Sequence, residues 1–189
     1  HFGKYHEAVK SFEQHIKHNA ESSTHRRDAL YMLGMSYYQC GVYSQVPSVL
    51  GKVTTENDAL SQNAYLHMGL AYLQLADKPK ARMAFEQAAA SNADMKIKEQ
   101  AAYNYALCIH ETSYSAFGES VTVFEKFLNE FPNSPYAEKV SNYLVEVYMN
   151  TRSYDAALKS IGRISHPSKA ILEAKQKILF HLGTQSFAN

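Results

Sequence analysis

Nine histidines stand in a chain of 189 residues, and His15 and His18 are three apart. That spacing puts both imidazoles on one face of a helix, with His25 a short way along the chain. A zinc site needs a third and usually a fourth ligand, a Cys or a carboxylate, converging on the same point. Nothing in the sequence fixes such a convergence, so surface imidazoles are the expectation. No Gly-x-Ser-x-Gly, His-Glu-x-x-His or glycine-rich phosphate loop occurs, so serine, metalloprotease and nucleotide chemistry all lack their usual frame. Asp and Glu are scattered over expected solvent faces. The expected chain is therefore not an enzyme, with no catalytic residue, no metal and no cofactor.

What, then, do the residues position? Hydrophobic residues make up 46% of the chain, enough for a packed core. The formal charge is +1, from 19 Lys and Arg against 18 Asp and Glu. That balance makes no electrostatic case for nucleic acid or for an anionic membrane surface. No apolar run approaches the ~18 residues of a membrane span, so no membrane insertion by this segment is expected. Strand-like alternation is hard to find. In AYLHMGLAYLQL, Ala64, Met68, Ala71, Tyr72 and Leu75 recur at helical spacing instead. The expected class is all-α.

The helical stripes repeat. Gly69 is followed by Tyr72, then Ala81, Phe85 and Ala88; Leu33-Gly34-Met-Ser-Tyr37 restates the first half, with Val46, Leu50 and Val53 as a degraded second half. Ala106 then leads to Ser120, Phe124, Phe127 and Pro132, and Leu144-Val145 to Tyr148, Tyr154, Ala157 and Ile161. The Gly-equivalent positions 34, 69, 106, 145 and 183 are separated by 35, 37, 39 and 38 residues. This pattern resembles the tetratricopeptide repeat, a helix–turn–helix unit of about 34 residues. The resemblance implies a right-handed α-solenoid of stacked antiparallel helix pairs, about ten helices in all. A small residue would sit where the two helices of a pair cross, and aromatics would fill the space between pairs.

The repeat divides the chain into a half repeat at 1–20, complete repeats at 26–56, 59–92, 96–131 and 134–165, and a half repeat at 167–189. The opening FGKYHEAVKSF aligns with a second helix whose first helix is missing, so a single solenoid segment from a longer chain is expected. Its two ends should expose apolar faces, Val9 and Phe12 at one and Ile178, Leu179 and Leu182 at the other, and associate weakly head to tail. The stretch HETSYSAFGES, residues 110–120, reads as an inserted longer turn. Asp77, Ser134 and Ser153 are expected helix caps, with Pro135 and Pro167 marking starts. Cys40 and Cys108 fall two helix layers apart, too far for a disulfide, so both should be free and buried. FPNSPYA, residues 131–137, is similar to a junction in bacterial cell-envelope proteins of this repeat family, of the outer-membrane assembly lipoprotein and periplasmic coordinator types, which implies an envelope or periplasmic setting.

In this repeat family the first helix of each pair lines a concave groove. Counted from each Gly-equivalent, the candidate groove residues are Tyr31, Met35, Tyr38, Asn63, Leu66, Leu70, Tyr103, Leu107, His110, Lys139, Asn142 and Glu146. The basic clamp of chaperone-binding members is absent. An apolar, aromatic groove with a few amides suits an extended or helical peptide, with Tyr31 and Tyr103 as expected anchors. The expected function is a protein–protein interaction scaffold. A purely architectural spacer within a large envelope protein is one alternative. A helical-repeat RNA binder is another, but it would need a basic inner face where only Lys139 is basic.

Overall fold

The computed structural model describes residues 2–18, 24–112, 118–151 and 153–187. The chain is all-α: ten α-helices and no strand among the described residues. It falls into two compact units, His1–Cys108 and Ile109–Asn189.

The first unit contains α1 (Phe2–His18), α2 (Thr24–Gln39), α3 (Val46–Leu50), α4 (Ala59–Gln74), α5 (Lys78–Ala90) and most of α6 (Met95–Thr112). Its pairs are antiparallel hairpins. Gln62 near the start of α4 reaches the end of α5, whereas the tight turn after α4 bonds Asp77 N–H to Tyr72 O at 2.9 Å. The crossings need glycine. A Cβ added at Gly34 would meet Leu50 Cδ2 at 2.3 Å, and one at Gly69 would meet Phe85 Cε1 at 2.5 Å. Leu50, Phe85 and Ala81 are fully buried at these crossings.

Local chemistry sets the turns. After α2, Gly41 adopts φ 74°, and after α4, Ala76 adopts φ 57°. The N–H groups of Val42 and Asp77 then reach back to the carbonyls of Tyr37 and Tyr72, each at 2.9 Å, closing Schellman-type ends. Asp77 caps α5 by accepting from Lys80 N–H at 3.2 Å, as its position suggests. The second helix of the first pair is short. It starts after a 3-10 turn at Tyr43–Gln45, has Pro47 in its first turn and stops before Gly51. Val46, Leu50 and Val53 nevertheless anchor a core with Leu30, Ala64 and Ala71.

The second unit holds the end of α6, α7 (Glu119–Glu130), α8 (Ala137–Asn150), α9 (Tyr154–Arg163) and α10 (Lys169–Phe187). Ser120, Phe124, Leu144, Ala157, Ile161 and Ile178 form its buried face. Glu125 accepts two hydrogen bonds from the Arg163 guanidinium, both 2.8 Å, which ties α7 to the last turn of α9. Asn129 completes the tie by donating to Arg163 O at 2.9 Å and accepting from Ser165 N–H at 2.8 Å. In the interior, Tyr148 and Ser160 share a hydrogen bond between α8 and α9. Burial pushes the Tyr148 hydroxyl up to about 12.

The sign of that shift sets a pH dependence. A folded-state value above the unfolded ~10 adds stability at pH below about 10, and this stability is lost as pH rises through about 12. Tyr148→Phe should remove that alkaline loss. It should also cost about 1–3 kcal/mol at neutral pH, because it strands the Ser160 hydroxyl. Urea unfolding at neutral and alkaline pH measures both.

Several sequence expectations change. Ser153 precedes α9 but makes no side-chain cap; its N–H donates instead to Thr151 Oγ1 at 3.1 Å. Ser134, three residues ahead of the first residue of α8, accepts from Tyr136 N–H at 3.1 Å. Pro167 lies ahead of α10, where Ser168 Oγ accepts from Ile171 N–H at 3.3 Å. Cys40 is only half-buried, 3.2 Å from His6 Nδ1, while Cys108 is buried, and the two form no disulfide. Ile178, expected on an exposed end, is fully buried because it lies on the inward side of α10. Residues 113–117 of the expected insertion lie outside the described residues; α6 ends at Thr112 and α7 begins at Glu119.

Candidate functional site

The first helices α2 and α4 lie side by side in the first unit, joined by a hydrogen bond from Asn63 Nδ2 to the Tyr31 hydroxyl at 2.8 Å. One helical turn on, His67 Nδ1 donates to Asn63 O at 3.0 Å. The Tyr38 ring meets the His67 ring edge to face at 5.3 Å and Tyr43 at 5.5 Å. Tyr31, Met35, Tyr38, Asn63, His67 and Leu70 are all half-buried. Each keeps part of its side chain at the surface while the rest is held by neighbours.

The face is electrically neutral. Burial raises the Tyr31 hydroxyl, opposed by the Asn63 bond, and burial also raises Tyr38. Burial lowers His67, keeping its ring neutral at physiological pH. Rings and amides without charge suit an apolar or weakly polar chain.

Not every expected groove residue joins this face. Leu66, 3% exposed, packs beneath α5 with Ala81, Phe85 and Ala88. Tyr103 is 7% exposed and part of the core, so the ring expected as a second anchor offers no surface for a peptide. Leu107, further along α6, is half-buried.

In the second unit the His110 ring packs against Phe124 and Tyr143, both at 5.3 Å, and those two stack at 5.7 Å. His110 is thus held in an aromatic cluster, with Nδ1 buried and unpartnered among the described residues. Lys139, Asn142 and Glu146 form an exposed stripe on α8, opposite its buried Val140, Leu144 and Val147. They bring an amide and two opposite charges, not an apolar floor.

Two polar devices escaped the sequence reading. Arg27 forks onto Asp58, both bonds 2.7 Å, and also donates to Ser61 Oγ and Val53 O, each at 2.8 Å. The hydrogen bond from Arg27 holds the Asp58 carboxyl well below the usual carboxylate range. Asp58 in turn caps α4 through Ser61 N–H at 2.9 Å. Gln62, buried, brings Nε2 within 2.9–3.1 Å of the carbonyls of Ala88, Ser91 and Asp94, and its Oε1 accepts from Asp94 N–H at 2.8 Å. A polar cleft of about 560 Å³ opens beside both, lined by Thr55, Glu56, Asp58, Tyr65, Gln87 and Asn92 among others. Within this cleft Asp58 is already committed to Arg27.

Among the described residues no three His, Cys, Asp or Glu side chains gather as a metal site. No helix among them is long and apolar enough to cross a membrane.

A model of the tetratricopeptide repeat family matches residues 63–94, the body of α4, all of α5 and the turn after it. The match includes the Gly69–Phe85 crossing. Repeats of this family generally mediate protein–protein interaction and are typically non-catalytic. No curated protein sequence matches the chain.

Proposed function

We propose that this chain is a non-catalytic scaffold that binds a peptide or protein segment on the face shared by α2 and α4. The observation that carries this reading is the Asn63–Tyr31 bond. It locks two first helices together and leaves rings and amides half-exposed along both. Tyr31 and Tyr38 serve as anchors, because interface energy concentrates in partly pre-packed aromatics. Met35 and Leu70 supply adaptable apolar contact. The bound segment is uncharged at its centre, since the face carries no charge to answer one. The α8 stripe of Lys139, Asn142 and Glu146 is a second, salt-sensitive contact surface within the same reading. The FPNSPYA junction, similar to one in bacterial envelope scaffolds, supports an envelope setting.

Peptides selected on the protein from a random displayed library test this. Tyr31→Ala with Tyr38→Ala should weaken binding of the selected peptides by about 30-fold or more, the scale of a hot-spot loss. Helix content should be unchanged, and added salt should have little effect. Selected peptides that bind the double variant as well as the parent would overturn the assignment.

A further inference from the structure

On the α2–α4 face, His67 is held in one pose and one tautomer. Its Nδ1 lies 3.0 Å from the carbonyl of Asn63, one turn back on α4. A carbonyl can only accept, so Nδ1 carries the proton. A neutral imidazole has a single N–H, which leaves Nε2 as an acceptor. Among the described residues the buried side-chain nitrogens and oxygens without a partner are His110 Nδ1 and Ser120 Oγ. His67 Nε2 is not one of them; it opens onto the part of the half-buried ring that reaches the surface. Tyr38 of α2 fixes the ring from the side, at 5.3 Å with the two planes at 88°. Asn63 is fixed in turn by its bond to the Tyr31 hydroxyl.

The surroundings suit the neutral ring only. The titratable groups facing it from α2 are phenols, Tyr38 and Tyr31, with Tyr43 of the following turn behind Tyr38. Helix α3 has no ionisable side chain, and α5 packs over Leu66. Burial holds His67 below its ordinary value, opposed by the bond to the Asn63 carbonyl, and no charged side chain among the described residues contributes. Protonation would bring an unanswered charge onto the face and turn Nε2 from an acceptor into a donor.

We propose that His67 selects the segment bound on this face: the segment donates one hydrogen bond to Nε2, and acid releases it by making that atom a donor. The inference rests on the peptide-face reading above. The donor is a side-chain O–H or N–H, or a backbone N–H. Met35, Tyr38 and Leu70 surround this single polar point with rings and apolar surface, so a segment without a donor there leaves the imidazole nitrogen unpaired and is rejected. Affinity is full while the ring is neutral. It falls as pH drops through the value at which the ring gains its proton, which burial sets below the ordinary 6.5.

Peptides without ionisable side chains, selected on the protein at about pH 7.5, test it. His67→Phe keeps a ring against Tyr38 but has no acceptor, and should weaken binding about tenfold. His67→Gln keeps an acceptor that does not titrate, and covers the case in which His67→Phe unfolds α4. Parent affinity should fall about tenfold between about pH 7 and about pH 5, at constant helix content, while that of His67→Gln stays level. One change in the peptide should cost affinity with the parent and nothing with His67→Phe. It is an amide-to-ester change if the donor is a backbone N–H, and a side-chain truncation if the donor is a side chain. Parent binding that stays level with pH, His67→Phe binding as tight as the parent, or no such change in the peptide would overturn the inference, while losses at Tyr31 and Tyr38 would still hold the site. Peptides indifferent to Tyr31→Ala with Tyr38→Ala would overturn the site and this inference with it.

Discussion

Gln62→Ala should destabilise the first unit by about 3 kcal/mol or more, an effect out of proportion to one side chain. The two N–H groups of the buried amide are shared among three carbonyls of the segment from Ala88 to Asp94, which links α5 to α6, and its oxygen accepts from Asp94 N–H. Removing it strands buried carbonyls and an N–H, each worth about 1–3 kcal/mol when left without a partner. Gln62→Glu should be worse than Ala. It keeps the acceptor for Asp94 N–H but sets a carboxylate against three carbonyl oxygens in a buried site, and such a charge is costly. The midpoint of urea unfolding measures the loss. Amide hydrogen exchange should speed up first at 88–94 if the side chain acts as a staple for this linker. Equal exchange there in parent and variant would show that other contacts hold the segment.

Phe85→Ala should cost about 3–5 kcal/mol, the range for an aromatic removed from a closed core. Phe85 is fully buried, and its ring carbons Cε1, Cδ1 and Cζ press on Gly69. The neighbour supplies a sharper test. Gly69→Ala alone should destabilise by about 1–3 kcal/mol through overpacking, because a Cβ there would lie 2.5 Å from the ring. With Phe85→Leu in the same chain, the Cβ gains room, so the double variant should lose less than the sum of the singles. Strict additivity in this cycle would mean that the two positions do not touch, and that the helix–helix register of the repeat is wrong.

The crossings were legible from residue types alone. A glycine inside a helical stripe, with a small residue twelve positions on and a bulky one four beyond that, points to two helices meeting closely. Gly69, Ala81 and Phe85 meet in that way. The cap at Asp77 was legible for the same reason, a short acceptor just ahead of a helix. Exposure was less legible. Helical spacing says which side of α4 Leu66 lies on, but not how far α5 reaches around that side, and α5 covers it. Tyr103 was lost to the groove in the same sense, and Ile178 to the exposed end.

Long-range polar ties were invisible. Arg27 and Asp58 are 31 residues apart, and Gln62 and Asp94 are 32 apart; neither pair forms a local motif. A polar residue inside an otherwise apolar stripe was the available signal for Gln62.

The most direct test of the scaffold reading is a residue-by-residue map of amide chemical shifts, recorded as a library-selected peptide is added to the protein. The account predicts perturbations centred on Tyr31, Met35, Tyr38, Asn63, His67 and Leu70. Perturbations centred instead on the polar cleft at Thr55, Glu56, Gln87 and Asn92, with the α2–α4 face silent, would contradict it.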